Sequence, residues 1–379
     1  MKLGKSKFSV LLNCTDKKSI SKIRSAAIII ILAISSCFLF SEQLGDGTKQ
    51  NRSKFKMVNS NVKSVCAGSF HTLILKNNGD VYACGQNDNG QLGDGSNTDR
   101  DVPFLLLKNI ASIAAGNIQS LAVGKDGRLW GWGALWMKDH QEDLKPSMLM
   151  DNVKMAAAGG ASSFYIKTDG TLWAFGNNEY GQLGNGSTKT AFGPCLIMHN
   201  AKSVSTSGYN TLIIDTENCL WACGSNDYGQ LGDGTETDRL VPVKVFDGVK
   251  AAVAGAAISF IIKNDNSLWA CGYNKLGQFG NGSTTCSPVF IHIADSVLQV
   301  SAGAEYTMIL KSDHSVWVCG GMKENDFGQL GIKAALPLLK FVKVFDDAIM
   351  ISAGGYHSMI LKSDGSLWGA GLNGTGGPL

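Results

Sequence analysis

Apolar residues fall along this chain in short runs separated by polar turns, and the runs recur. Val62 to Ala67 reads as a strand. Thr72 to Leu75 is a continuous apolar run too short for a helix, which predicts a strand buried on both faces. Asn78-Gly79 supplies hairpin-turn chemistry, as do Asp126-Gly127, Asp169-Gly170 and Asp364-Gly365. An aromatic strand, Val81 to Cys84, comes next, then a glycine-rich loop (GQLGDG, Gly90 to Gly95), then a fourth strand near Val102 to Leu107.

This unit repeats. A serine or threonine holds one position in seven copies: Thr72, Ser120, Ser163, Thr211, Ser259, Thr307 and Ser358, at spacings of 48, 43, 48, 48, 48 and 51 residues. Further along each copy sits an aromatic residue: Tyr82, Trp130, Trp173, Trp221, Trp269, Trp317 and Trp368. Four strands in a unit of about 45–50 residues match a propeller blade, so the expected fold is all-β, a seven-bladed β-propeller. The seventh copy, from Asp347, shows no GQLGDG loop, whereas Gln43 to Thr48 reads QLGDGT ahead of any other blade element. Residues 43–60, with a strand over Ser53 to Val58, are therefore expected to complete the blade begun by 347–379 and remove both exposed sheet edges.

Composition narrows the class. The 379 residues are 44% hydrophobic and 17% charged, with 46 glycines and 7 prolines. Part of the net charge of +3 lies in the first 24 residues, so the repeat region is close to neutral and no nucleic-acid partner is expected. That first segment carries Lys2, Lys5, Lys7, Lys17, Lys18, Lys22 and Arg24, and an apolar run from Ala26 to Phe40 follows. Basic then apolar is an export pattern, and residues 1–42 are expected to be a signal peptide or a membrane anchor, with 43–379 outside the cytoplasm. Ile34-Ser35-Ser36-Cys37 resembles a lipoprotein box, which makes Cys37 a candidate for lipidation. An uncleaved anchor is the competing reading, because the apolar run continues past Cys37.

The elements A-G-x-x-H-[ST]-x-x-L-K, D-G-x-[LV]-W-x-x-G and G-Q-L-G-x-G resemble repeats of the regulator of chromosome condensation family. Lys76, Lys167, Lys263, Lys311 and Lys362 fill the lysine position. The resemblance covers residues 43–379 and implies a seven-bladed propeller. It implies two activities: partner binding through blade loops, as in exported propellers that inhibit β-lactamases, or guanine-nucleotide exchange on a small GTPase, the activity of the family's namesake. The export-like N-terminus favours the first.

Motifs that suggest chemistry have structural explanations. The glycine loops lack GxxxxGK[ST] and read as turns. Asp46, Asp94, Asp99, Asp233 and Asp238 lack calcium-loop spacing, so no metal or cofactor is expected. Cys84, Cys223, Cys271 and Cys319 share one repeat position, filled elsewhere by Trp132, Phe175 and Ala370, and read as core. Cys219 and Cys223 lie about 13 Å apart on one strand, too far to bridge. His71 and His357 share a position with Gln119, Asn210 and Tyr306, which suits a repeated hydrogen bond and not catalysis, so the protein is expected to be no enzyme. Departures from the repeat are the candidate partner-binding residues. The second copy lacks GQLG and offers Trp132, Trp136, Met137, Lys138, Asp139 and His140; an insertion in the sixth offers Met322, Lys323 and Glu324. Tyr180, Tyr228, Tyr273 and Phe327 are expected to add aromatic contacts at the loop rim.

Overall fold

The middle strands of each unit are apolar because neighbouring sheets cover both of their faces. In His71–Lys76 every residue except the lysine is buried. A computed structural model describes residues 43–137, 143–322 and 326–374. The described residues form 28 strands in seven four-stranded antiparallel sheets, a seven-bladed β-propeller. The first blade runs β2 (Val62–Ala67), β3 (His71–Lys76), β4 (Val81–Gly85) and β5 (Arg100–Leu107), and the next five follow the same order. Consecutive first strands touch one another across the blades, which puts them around the axis and the fourth strands at the periphery. Candidate residues Lys138, Asp139, His140, Lys323, Glu324 and Cys37 lie outside the described residues.

The seventh blade is assembled from both ends of the repeat region. Its order is β1 (Arg52–Asn59), β28 (Leu367–Gly371), β27 (His357–Lys362), β26 (Ala348–Ala353), with Arg52 opposite Gly371 and Asn59 opposite Leu367. The loop is divided as well. In intact copies a buried asparagine organises it: Asn226 Oδ1 accepts from Leu231 N–H, and its Nδ2 donates to the Thr235 carbonyl and Asp233. At the seam Asn373 does the same for residues hundreds of positions away. It accepts from Leu44 N–H at 3.0 Å and donates to Asp46 and to the Thr48 carbonyl, both at 2.9 Å.

Blades are joined by the main chain of the glycine loops. The glutamine of each loop turns its carbonyl oxygen to the next blade, and at four seams the repeated hydroxyl donates to it. Thr72 donates to Gln43 at 2.6 Å, Ser120 to Gln91 at 2.9 Å, Thr307 to Gln278 at 2.8 Å and Ser358 to Gln329 at 2.7 Å. Cysteine thiols add to it: Cys84, Cys223, Cys271 and Cys319 approach the carbonyls of Gln43, Gln182, Gln230 and Gln278. The shared cysteine position is therefore core and also a donor. A second set of links lies nearer the axis, where Ser205, Ser301 and Ser352 accept the Ala254, Ala353 and Ala67 amides. Backbones come so close there that a Cβ on Gly159 would stand 2.2 Å from the Ser207 carbonyl oxygen.

One seam differs. Blade 2 has no GQLG loop, so it presents no such carbonyl to blade 3. Ser163 is buried and its hydroxyl has no protein partner. The cysteine position there holds Phe175, which packs with Leu135 and Tyr165 in one apolar cluster. Apolar packing replaces the loop carbonyl there, beside the Gln119 side chain, whose Nε2 donates to the Ser162 carbonyl at 3.0 Å.

The histidines complete these chains. His71 Nε2 lies 2.8 Å from Ser120 Oγ, and His357 Nε2 lies 3.0 Å from Thr72 Oγ1. Both hydroxyls donate onward to loop carbonyls, so each histidine donates from Nε2 and is neutral. Burial lowers the pKa of His71 from 6.5 to about 4, and that of His357 to about 3 with help from His71. The lysine of the motif has a separate task, its Nζ lying over the aromatic ring of the next strand, as Lys311 does over Trp317 at 4.8 Å.

Two outcomes follow. Asn373→Ala should lower the unfolding free energy by about 2–3 kcal/mol, read from urea denaturation, because it strands the Leu44 amide and the Thr48 carbonyl; an unchanged midpoint would contradict the seam. Because the folded pKa values of His71 and His357 lie below the unfolded value, stability should be full above pH 6.5 and fall as pH drops towards 4. The double change His71→Gln and His357→Gln, which installs the residue blade 2 already uses at Gln119, should flatten that acid limb; an identical slope would contradict it.

Candidate protein-contact face

Antiparallel pairing brings two kinds of connection to one end of the ring: the turn between first and second strands, and the loop between third and fourth. The loops display one variable position two residues before the glutamine. Gln182 Oε1 accepts the amide of Tyr180, Gln230 that of Tyr228, Gln278 that of Leu276, and Gln329 that of Phe327. The scaffold thus fixes the backbone of the displayed residue while leaving its side chain free to vary.

Each blade brings an aromatic side chain to this end. They are Phe70, Trp136, Tyr180, Tyr209 and Tyr228 together, Tyr273, Phe327 and Tyr356, in blade order. Several meet across blade boundaries. Tyr180 and Tyr209 form an edge-to-face pair with centroids 5.2 Å apart, and Tyr228 and Tyr273 one at 5.1 Å. Tyr356 lies 5.4 Å from Phe327 and 6.1 Å from Phe70. Such contacts hold the rings without covering them, since all but Phe327 keep part of their surface exposed.

Carboxylates stand among these rings. Burial raises the Tyr209 pKa, and Tyr180 and Glu179 raise it further. Burial and Asp227 do so for Tyr228. Tyr356 is pushed up to about 12 by burial and Glu305. These phenols stay protonated at neutral pH and can donate hydrogen bonds.

The sequence-derived patch is only partly at this surface. Trp132 is fully buried, which corrects its expected place in a contact patch. It sits at the cysteine position of the repeat, and its Nε1 donates to the Gln91 carbonyl at 2.8 Å, the bond the thiols make elsewhere. The indole packs on Gly93, where a Cβ would come within 2.8 Å of it. Trp136 is 37% exposed and holds a φ of 58°, a strained conformation for a bulky residue. Met137 is half-buried against the apolar cluster of blades 2 and 3, and Met322 is half-buried. Phe70, Tyr209 and Tyr356 escaped the sequence reading. Their signal is the position just before the second strand, next to the histidine of the motif.

The acidic loop residues are engaged internally. Asp46, Asp94 and Asp233 pair with Arg52, Arg100 and Arg239 six residues on, at 2.6, 2.5 and 2.6 Å. Asp238 accepts the Asn226 amide. Among the described residues no group of acidic, histidine or cysteine side chains is arranged to hold a metal ion.

Solved structures share this architecture. Human WBSCR16 superposes with a TM-score of 0.70 at 18% identity, covering 83% of this chain and 87% of that one. Prp20p from Saccharomyces cerevisiae, described with its binding to Gsp1p and histones, gives 0.70 at 18% identity over 82% of each chain. The same yeast protein bound to Kap60 gives 0.70 at 19% identity, covering 82% of this chain and 81% of that one. No curated protein matches the chain. The RCC1-like domain family matches residues 40–309, and the regulator of chromosome condensation (RCC1) repeat matches residues 350–376. On that match over most of its length, the chain belongs to the RCC1-like domain family.

Proposed function

We propose that this propeller is a non-enzymatic protein-binding module that engages a protein partner through the loop face, and that residues 1–42 export it or anchor it in a membrane. The observation that carries the first part is the aromatic side chain supplied by every blade to one end of the ring, with Tyr180, Tyr228 and Phe327 pinned by glutamine. Tyrosine and tryptophan on a fixed backbone give large contact area with little loss of conformational freedom, which is what interface anchors need. Trp136, held in strained backbone in the second copy's loop, which lacks GQLG, fits the same role. The yeast relative's described binding to Gsp1p and histones supports a protein as the kind of ligand.

The reading involves no chemical step. Ser120 and Thr72, the hydroxyls beside the histidines, are buried and donate to loop carbonyls. Export rests on the basic and then apolar order of residues 1–42. Buried thiols are compatible with an oxidising location, because burial raises the Cys223 pKa to about 12 and keeps it a protonated, unreactive thiol.

Affinity capture with the full chain tests the reading. Combined Trp136→Ala and Tyr228→Ala should reduce recovery of the captured protein about tenfold, and partner and propeller should both appear in the membrane or exported fraction. Unchanged recovery would remove the loop face from the account, and a purely cytosolic protein would remove export.

A further inference from the structure

The chemistry of the loop face also points to the kind of group it receives. The inner turns, and the stretches between each third strand and the Gly-Gln pair, carry Asp88, Glu179, Asp227, Glu305 and Asp326; against them, among the described residues, stands Lys275 alone. Acid and aromatic positions are interleaved there. Glu179 adjoins Tyr180 in sequence and acts electrostatically on Tyr209, while Asp227 adjoins Tyr228 and Glu305 acts on both Tyr273 and Tyr356. The edge-to-face pairs Tyr180–Tyr209 and Tyr228–Tyr273 each direct one ring against the face of the other, and both pairs sit beside a carboxylate.

We propose that the partner presents arginine side chains to this face, with a guanidinium lying against a tyrosine ring of the Tyr228–Tyr273 pair and its N–H groups directed to Asp227. A planar cation stacks flat on a ring while donating hydrogen bonds in its plane, whereas an ammonium, a compact and more strongly hydrated charge, has no flat face to stack. The fold's own cation–aromatic pairs lie within the blades, as with Lys167 over Trp173 and Lys263 over Trp269, and none covers Tyr209, Tyr228 or Tyr273 among the described residues. The excess of carboxylates among the described residues of the face disfavours an acidic partner and speeds the approach of a basic one.

This inference rests on the loop face being the contact surface, and its test separates the two. Fluorescence anisotropy would compare labelled peptides of alternating Gly-Arg, Gly-Lys, Gly-Asp and Gly-Ser against the full chain at low and physiological salt. Gly-Arg should bind about tenfold more tightly than Gly-Ser and more tightly than Gly-Lys, with Gly-Asp weakest. Asp227→Asn, which conserves shape, and Tyr228→Ala should each weaken Gly-Arg about fivefold or more, with circular dichroism unchanged. Equal binding of Gly-Lys or Gly-Ser, or Gly-Arg binding indifferent to both substitutions, would overturn the inference. If capture of the partner depends on Tyr228 while Gly-Arg does not bind, arginine recognition falls and the contact face stands.

Discussion

A main-chain carbonyl, turned out of each glycine loop towards a hydroxyl or thiol of the next blade, is the interaction on which the ring depends. Each such bond contributes about 1 kcal/mol, so its importance lies less in magnitude than in position. It joins the part of the blade that varies least in backbone to the part that faces its neighbour. Glycine at left-handed positions lets the loop turn tightly enough to aim the carbonyl, and the buried asparagine holds that turn in place. The histidine, tyrosine and asparagine residues at the start of the second strands then extend the bonding from blade to blade. Asn210 reaches Ser259, and Tyr306 reaches Ser358, as His71 reaches Ser120.

The same constraint explains the division of labour at the loop end. The glutamine fixes the neighbouring blade with its main chain and the displayed residue with its side chain. What stands at the display position is then free to differ: Asn89, Tyr180, Tyr228, Leu276 and Phe327 all occupy it. A surface can therefore be altered residue by residue without disturbing the ring. In this chain the result is a face with aromatic and acidic groups interleaved, on which the proposed binding function rests.

Much of the fold was legible in the sequence, because a hydroxyl and an aromatic residue return at a nearly constant interval and glycine turns mark four of the seven hairpins between second and third strands. Closure was legible too, since Gln43 to Thr48 is half a loop whose other half, around Asn373, ends the seventh copy. The site was less so. Trp132 reads as a surface residue when it is judged by its neighbours Trp136 and Met137, and as a core residue when judged by its repeat position; the slot decided, because it is buried in every blade and the indole Nε1 finds the Gln91 carbonyl there. Tyr209 and Tyr356 were missed because a contact face is made between blades, and the distance between residues such as Tyr180 and Tyr209 on adjacent blades is set by the closed ring, not by local pattern.

The exception at blades 2 and 3 makes the account testable as a whole. Without the loop carbonyl, Ser163 has no protein acceptor, and the seam keeps the packing of Leu135, Tyr165 and Phe175 and the Gln119 bond to the Ser162 carbonyl. Native-state hydrogen exchange followed by mass spectrometry reads each seam separately. If the carbonyl locks hold the ring, amides of Ser162–Lys167 lose protection before those of the equivalent strands Gln119–Gly124 and Asn210–Asp215. Equal protection across these strands, or first loss at a seam that has its carbonyl, would contradict that claim.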